Sequence, residues 1–260
     1  MAFLQVEFFS SVLGKGMSMN VLLPQTAAGQ IGVDGKAPDT RYPTLYLLHG
    51  MSDNHSAWMR YTAIERFAQE RGIAVVMPNA DLSFYCNMEH GLNYFSFIAD
   101  ELPAVCRDFF PRMSPDREDT FIGGLSMGGY GALKIAFARP ERFSRAVAFS
   151  AVADVGEFVK TTYESRKPVL KSIFDDLEGV SGSEHDLFVA ARSLAESGKP
   201  LPRLWMWCGT EDGLCDLNKR AMEAFSSLGY DLTSSLSPGV HNWFAWNEQI
   251  QHALDWLTKK

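Results

Sequence analysis

The chain has 260 residues, 46% of them hydrophobic and 21% charged, the composition of a globular protein with a full core rather than of a disordered or fibrous one. A formal net charge of −7, with no run of Lys or Arg, excludes nucleic acid and anionic membrane surfaces as attractive partners. No apolar run approaches the roughly 20 residues that span a bilayer, and four cysteines without a CxxC pair read as free thiols of a reducing cytoplasm.

Residues Met1 to Lys15 lack a basic leader, carry Glu7 in their middle and alternate in polarity. They therefore predict a strand rather than a signal peptide. Gln5–Leu13 and Met17–Leu23 predict a hairpin at a sheet edge, turning at Gly14–Lys15–Gly16, and residues 25–42 a polar surface loop. From residue 44 onward short apolar strands alternate with amphipathic helices. The strands are expected at Thr44–His49, Ile73–Pro78, Thr120–Gly123, Phe143–Ser150 and Leu204–Cys208, most of them apolar enough to be covered on both faces. Leu232–Leu236 is a further candidate.

Helical spacing links Tyr61, Ile64, Phe67 and Ala68, then Leu92 to Phe109 with a kink or restart at Pro103. It appears again at Leu217, Ala221, Phe225 and Leu228, and at Ile250, Leu254 and Leu257. Residues 151–200 show no strong strand and read as a cap-like excursion inserted in one domain. This βα alternation predicts a mostly parallel α/β sheet with an antiparallel N-terminal edge and helices on both faces.

The strongest chemical signal is Gly124-Leu125-Ser126-Met127-Gly128, a GxSxG motif between the strand Thr120–Gly123 and a helix that Pro140 closes. Strand, tight turn and helix are the context in which such a serine projects its Oγ from the sheet, in a strained backbone that side chains at Gly124 or Gly128 would obstruct. A neutral hydroxyl needs a base, and the base an orienting acid. Of six histidines only His185, His241 and His252 follow Ser126. His252 falls on the exposed side of the last helix, and His185 lies in the excursion. His241 stands in a Pro/Gly loop between a strand and the last helix, where a base overhangs the sheet. The acid is expected just after Leu204–Cys208, at Asp212 with Glu211 as its alternative. Asp216 is free to cap the following helix. The oxyanion donors are expected at the N–H groups of Met127 and Met51, with Gly50 as alternative and neighbour of the substrate carbonyl. His49 reads as a structural histidine beneath that loop.

These residues resemble the esterase D-like α/β-hydrolases, a group that includes S-formylglutathione hydrolases, mycolyltransferases and some feruloyl esterases, and most of all the bacterial tributyrin esterases. The matching stretches are LLHGMSDNHSAWMRYTAIERFA (47–68), GGLSMGGYGALKIAFARPERF (123–143), CGTEDGL (208–214) and PGVHNWFAWN (238–247). The resemblance implies the α/β-hydrolase fold, the triad Ser126, Asp212 and His241, short-chain acyl esters as small-molecule substrates, and neither cofactor nor metal. Association into a homo-oligomer stays open. The loop MSDNHSAW departs from the longer one of S-formylglutathione hydrolases, which turns the expectation toward oxygen esters.

Trp58 and Trp243 are candidates for substrate contact. Phe158, Tyr163, Phe174 and Phe188 could line a pocket or form the excursion's own core. Thioester hydrolysis and feruloyl or acetyl-sugar ester cleavage use the same triad. The readings from other classes are an inactive hydrolase serving as a binding protein and a metal hydrolase built on His49, Asp53 and His55.

Overall fold

A computed structural model describes residues 1–26, 29, 31, 32, 35 and 37–259. Part of the loop expected over 25–42 therefore lies outside the described residues. Eight strands form one sheet: β1 (Ala2–Ser10), β2 (Lys15–Leu23), β3 (Thr44–Leu48), β4 (Ala74–Pro78), β5 (Thr120–Leu125), β6 (Arg145–Phe149), β7 (Arg203–Gly209) and β8 (Leu232–Ser237). Their spatial order is β1-β2-β4-β3-β5-β6-β7-β8. β1 and β2 pair antiparallel, as do β2 and β4, and every later pair is parallel. The α/β-hydrolase architecture with its antiparallel N-terminal hairpin is the one the sequence predicts.

The helices are α1 (Ala57–Tyr61), α2 (Ile64–Arg71), α3 (Tyr94–Ser96), α4 (Leu102–Phe109), α5 (Met127–Ala138), α6 (Val155–Thr161), α7 (Lys167–Phe174), α8 (Leu187–Glu196), α9 (Cys215–Ser227) and α10 (Trp243–Thr258). They cover both sheet faces. One core cluster gathers Tyr46, Ile122, Met127, Leu133, Met206 and Phe225, and the other Leu45, Trp58, Phe149, Trp207, Ile250 and Leu254. Alternate residues of β3 feed opposite clusters, and this two-sided burial explains its unbroken apolar run.

Three local expectations are corrected. The hairpin turns at Ser11–Gly14, not at residues 14–16. β1 ends at Ser10, where Glu101 accepts from the Ser11 N–H (2.6 Å) and from the Ser10 hydroxyl. Tyr61 does not share a helix with Ile64: Thr62 is extended, its hydroxyl accepts from the Ile64 N–H (3.2 Å), and α2 starts anew. The helical run begins at Tyr94 rather than Leu92. After a π turn over Phe97–Glu101 it restarts as α4 at Leu102, with Pro103 in the first turn, one of the two outcomes expected there. Pro103 has no N–H for the Ala99 carbonyl, and the Arg142 guanidinium donates to that oxygen in its place.

Segment 151–200 carries α6, α7 and α8, and no strand among its residues. Phe158 and Phe174 pack on Phe84, Phe188 packs on Phe225, and Tyr163 points into solvent. Phe158, Phe174 and Phe188 thus join the main core through residues outside the segment rather than forming a core of its own. All four cysteines are buried and free. Among the described residues no helix is long and apolar enough to cross a membrane.

Candidate active site

Ser126 stands between β5 and α5 with φ 55° and ψ −117°, outside the regions a non-glycine residue ordinarily occupies. The surroundings hold it there. Its N–H donates to the Phe149 carbonyl on β6 (2.9 Å), and its carbonyl accepts from the N–H groups of Tyr130 (3.1 Å) and Val152 (3.2 Å). The flanking glycines are a steric necessity. A Cβ on Gly124 would stand 2.5 Å from the Gly128 carbonyl oxygen, and one on Gly128 would stand 2.6 Å from the carbonyl oxygens of Leu48 and His49. With these contacts α5 packs against the end of β3.

His241 lies in the loop between β8 and α10, and Asp212 in the loop between β7 and α9. Both loops leave the carboxyl edge of the sheet and are laced together. Thr210 N–H donates to the Ser237 carbonyl (2.9 Å) and Glu211 N–H to the Gly239 carbonyl (3.0 Å), while Glu211 Oε2 accepts from the Gly239 N–H (2.7 Å). Glu211, the alternative acid, is thus an exposed clamp between the loops. Asp212 is buried. Its Oδ2 is 2.8 Å from His241 Nδ1 and its Oδ1 accepts from the Leu214 N–H (2.8 Å). His241 Nε2 is 3.1 Å from Ser126 Oγ.

Burial tends to raise the Asp212 pKa, but the hydrogen bond and charge of His241, with the Leu214 N–H and the Ser150 hydroxyl, outweigh it and hold the carboxyl below its ordinary value. Asp216 does not cap α9. The cap position is Leu214, tied down by Asp212 itself.

The loop after β3 borders the serine. A Cβ on Gly50 would lie 3.6 Å from Ser126 Cβ and 2.5 Å from Leu125 Cδ1. Among the described residues, neither the Met127 nor the Met51 N–H has a hydrogen-bond acceptor. Trp58 departs from the expected substrate contact. It is 1% exposed, donates its indole N–H to the Leu48 carbonyl (3.0 Å) and meets the half-buried Trp243 edge-on. The pair is packing beneath the loop.

His49 uses both ring nitrogens: Nδ1 is 2.8 Å from the Gly50 carbonyl, and Nε2 accepts from the Ala80 N–H (3.0 Å). No lone pair remains there for a metal, which removes the His49–Asp53–His55 reading. Burial pushes its pKa down to about 4. Burial, with the Lys134 ammonium 2.9 Å from Nδ1, does the same to His185. The unfolded chain therefore takes up protons between about pH 6.5 and 4 that the fold refuses, so stability is full above that window and falls as pH drops through it. The expected loss at His49 is on the order of 3 kcal/mol by about pH 4. Urea midpoints measured from pH 7 to 4.5 should fall steadily, and His185→Gln, which keeps an acceptor for Lys134, should flatten the slope. A slope equal to that of the parent would reject the assignment of His185.

Two residues that sequence reasoning passed over close the site from behind. Ser150, buried after β6 at φ 46°, accepts the Trp246 indole N–H on its Oγ (3.1 Å). Trp246 also sets its ring edge-on to His241, with centroids 4.8 Å apart.

The chain is similar to known esterases and serine hydrolases. The family described as "Putative esterase" matches residues 10–257. An acetyl esterase of Caldicellulosiruptor saccharolyticus is 31% identical over 269 aligned positions, covering 100% of this chain and 99% of its own. FphF, a fluorophosphonate-binding serine hydrolase of Staphylococcus aureus, has a TM-score of 0.89 at 31% identity, covering 100% of this chain and 99% of its own. The S-formylglutathione hydrolase FrmB of the same organism has a TM-score of 0.86 at 30% identity, covering 99% of each chain.

Proposed function

The chain belongs to this esterase family and is a carboxylic ester hydrolase, and we propose that it cleaves short-chain acyl esters through Ser126, His241 and Asp212. The hydrogen-bonded line from Asp212 through His241 to Ser126 carries the reading, at 2.8 and 3.1 Å. His241 Nε2 takes the Ser126 proton as Oγ attacks the ester carbonyl. The N–H groups of Met127 and Met51 bind the oxyanion, each worth roughly 3 kcal/mol to the transition state. Asp212, ionised and buried, holds the imidazole with Nε2 toward the serine and stabilises the imidazolium that forms. The alcohol leaves with the proton from His241, and water repeats the sequence on the acyl-enzyme. No step calls on a cofactor. The four free thiols favour a cytoplasmic location within this reading.

The match to an acetyl esterase supports a small acyl group, and a panel of p-nitrophenyl esters from acetate to octanoate tests it. Turnover should be greatest at two to four carbons, and a maximum at eight would overturn the short-chain reading. The match to FrmB supports thioester hydrolysis as a second reading. Tributyrin, a feruloyl ester and S-formylglutathione at equal concentration separate the two.

The base must be neutral to accept a proton, and the Asp212 carboxyl is held low. Activity is therefore expected to fall as pH drops far enough to protonate the base. A rate profile flat from pH 5 to 8 would count against His241 as base.

A further inference from the structure

The turn that follows β3 carries a charge the triad does not use. The Asp53 N–H donates to the Gly50 carbonyl (3.3 Å), closing a tight turn over Met51 and Ser52, with Ser52 in the left-handed region at φ 73°. The turn that presents the Met51 N–H thus folds Asp53 back over Gly50. A Cβ on Gly50 would lie 3.3 Å from Asp53 Oδ2 and 3.6 Å from Ser126 Cβ, so the carboxylate and the nucleophile border one point. Asp53 is half-buried, and no cation stands against it among the described residues. Arg60, the next Lys or Arg along the chain, lies over the Tyr61 ring instead, 5.3 Å from its centroid.

The other loops at this edge of the sheet share the sign of Asp53. Residues 49–56, 79–93, 150–154, 210–214 and 238–242 follow β3, β4, β6, β7 and β8. Together they hold six carboxylates and no Lys or Arg. Two of the six find cations outside these loops: Lys15 pairs with Asp81 (3.5 Å) and Arg220 with Asp154 (3.1 Å). Asp212 is answered by His241 (2.8 Å). The rim around Ser126 keeps an excess of negative charge, and Asp53 brings that charge closest to the turn that holds the Met51 N–H. At a separation under about 7 Å, and partly out of water, one unit charge acts strongly on another.

We propose that Asp53 is a specificity-determining residue: its carboxylate, within an acidic rim, turns the site against esters that bring negative charge near the scissile bond and toward neutral and cationic alcohols. The proposal rests on Ser126 being the nucleophile. Acetyl esters of uncharged or amine-bearing alcohols fall on the favoured side. S-formylglutathione, with two carboxylates, falls on the other.

Three aryl acetates of similar shape separate charge from fit: 4-acetoxybenzoate (anionic), its methyl ester (neutral) and 4-acetoxyphenyltrimethylammonium (cationic). Burial raises the Asp53 pKa, so the rates are measured near pH 8, about four units above an ordinary carboxyl. Asp53→Asn should raise kcat/KM for the anion relative to the neutral ester by about 5- to 10-fold, and lower that for the cation relative to it by a similar factor. Asp53→Glu keeps the charge and should keep the parental order. In the parent, about 0.5 M NaCl should narrow the spread among the three esters. Should Asp53→Asn prove poorly folded by thermal unfolding, Asp53→Ser makes the same comparison. Equal changes on all three esters, or ratios that stay where they are in the parent, would overturn the proposal. Failure of the nucleophile reading looks different: Ser126→Ala would hydrolyse the neutral ester as fast as the parent.

Discussion

Replacing Ser126 by Ala is expected to lower kcat by about 10⁴-fold or more on any ester the protein hydrolyses, with thermal unfolding unchanged within a degree or two. The nucleophile is removed, but Ala accepts the same backbone conformation at the same cost, so folding has no reason to respond. His241→Ala should be comparably slow, because a hydroxyl without its base is not a nucleophile at neutral pH. Asp212→Asn should lose about 10⁴-fold by allowing the wrong tautomer on His241. These losses will not multiply in combination, since each breaks the same line from 212 through 241 to 126. A fluorophosphonate probe should label the parent one-to-one and Ser126→Ala not at all. Ser126→Gly supplies an independent check on strain: it should be inactive yet more stable by about 1 kcal/mol, since glycine occupies φ 55° without penalty. Turnover by Ser126→Ala at even a tenth of the parental rate would end the triad reading.

Gly128→Ala should have the second largest effect, and on a different quantity. The new methyl would meet two carbonyl oxygens and one carbonyl carbon at 2.6 to 2.8 Å, all backbone of Leu48 and His49. Flexible side chains give way to a methyl; a central strand does not. That strand end is held further by the Tyr85 hydroxyl donating to the His49 carbonyl (2.8 Å) and, from the opposite face, by the Trp58 indole N–H donating to the Leu48 carbonyl (3.0 Å). Relief requires α5 to lift from β3, at about 3 to 4 kcal/mol, which lowers Tm by about 10 °C in a protein of this size. The lift would also separate the Met127 N–H from the Met51 loop, so kcat should fall beyond what the remaining folded fraction explains. Differential scanning calorimetry settles the first effect; a Tm within about 2 °C of the parent would show that the helix and strand are less rigidly joined than their contacts imply.

How much of this was legible in the sequence follows from the range of the interactions. The elbow was, because GxSxG between an apolar strand and a helix is a local pattern with a local steric cause. His241 and Asp212 were legible through chain order and through their places in loops after strands, without knowledge of any contact. Position in the chain favoured Asp212 but left Glu211 as its alternative. It was the lacing of its loop to Gly239 that turned one carboxylate outward and the other in. Trp58 misled because nearness in sequence to the loop after β3 is not nearness to substrate; a helix turn carries its ring under the sheet. The break at Thr62 hid inside an unbroken 3.6-residue period, since a hydroxyl cap leaves no mark on hydrophobic spacing.

The amino-acid sequence by itself determined the parallel α/β architecture, the tight turn at Ser126 and the candidates His241 and Asp212, because these depend on patterns within a few residues and on the order of elements. Tertiary structure alone decided which atoms meet. Trp246 finds Ser150 across 96 residues, and His241 reaches Ser126 across 115. Such pairs leave no periodicity in the chain, for their geometry comes from the sheet that stacks β5, β6 and β7 side by side and brings the loops at their ends within hydrogen-bonding distance.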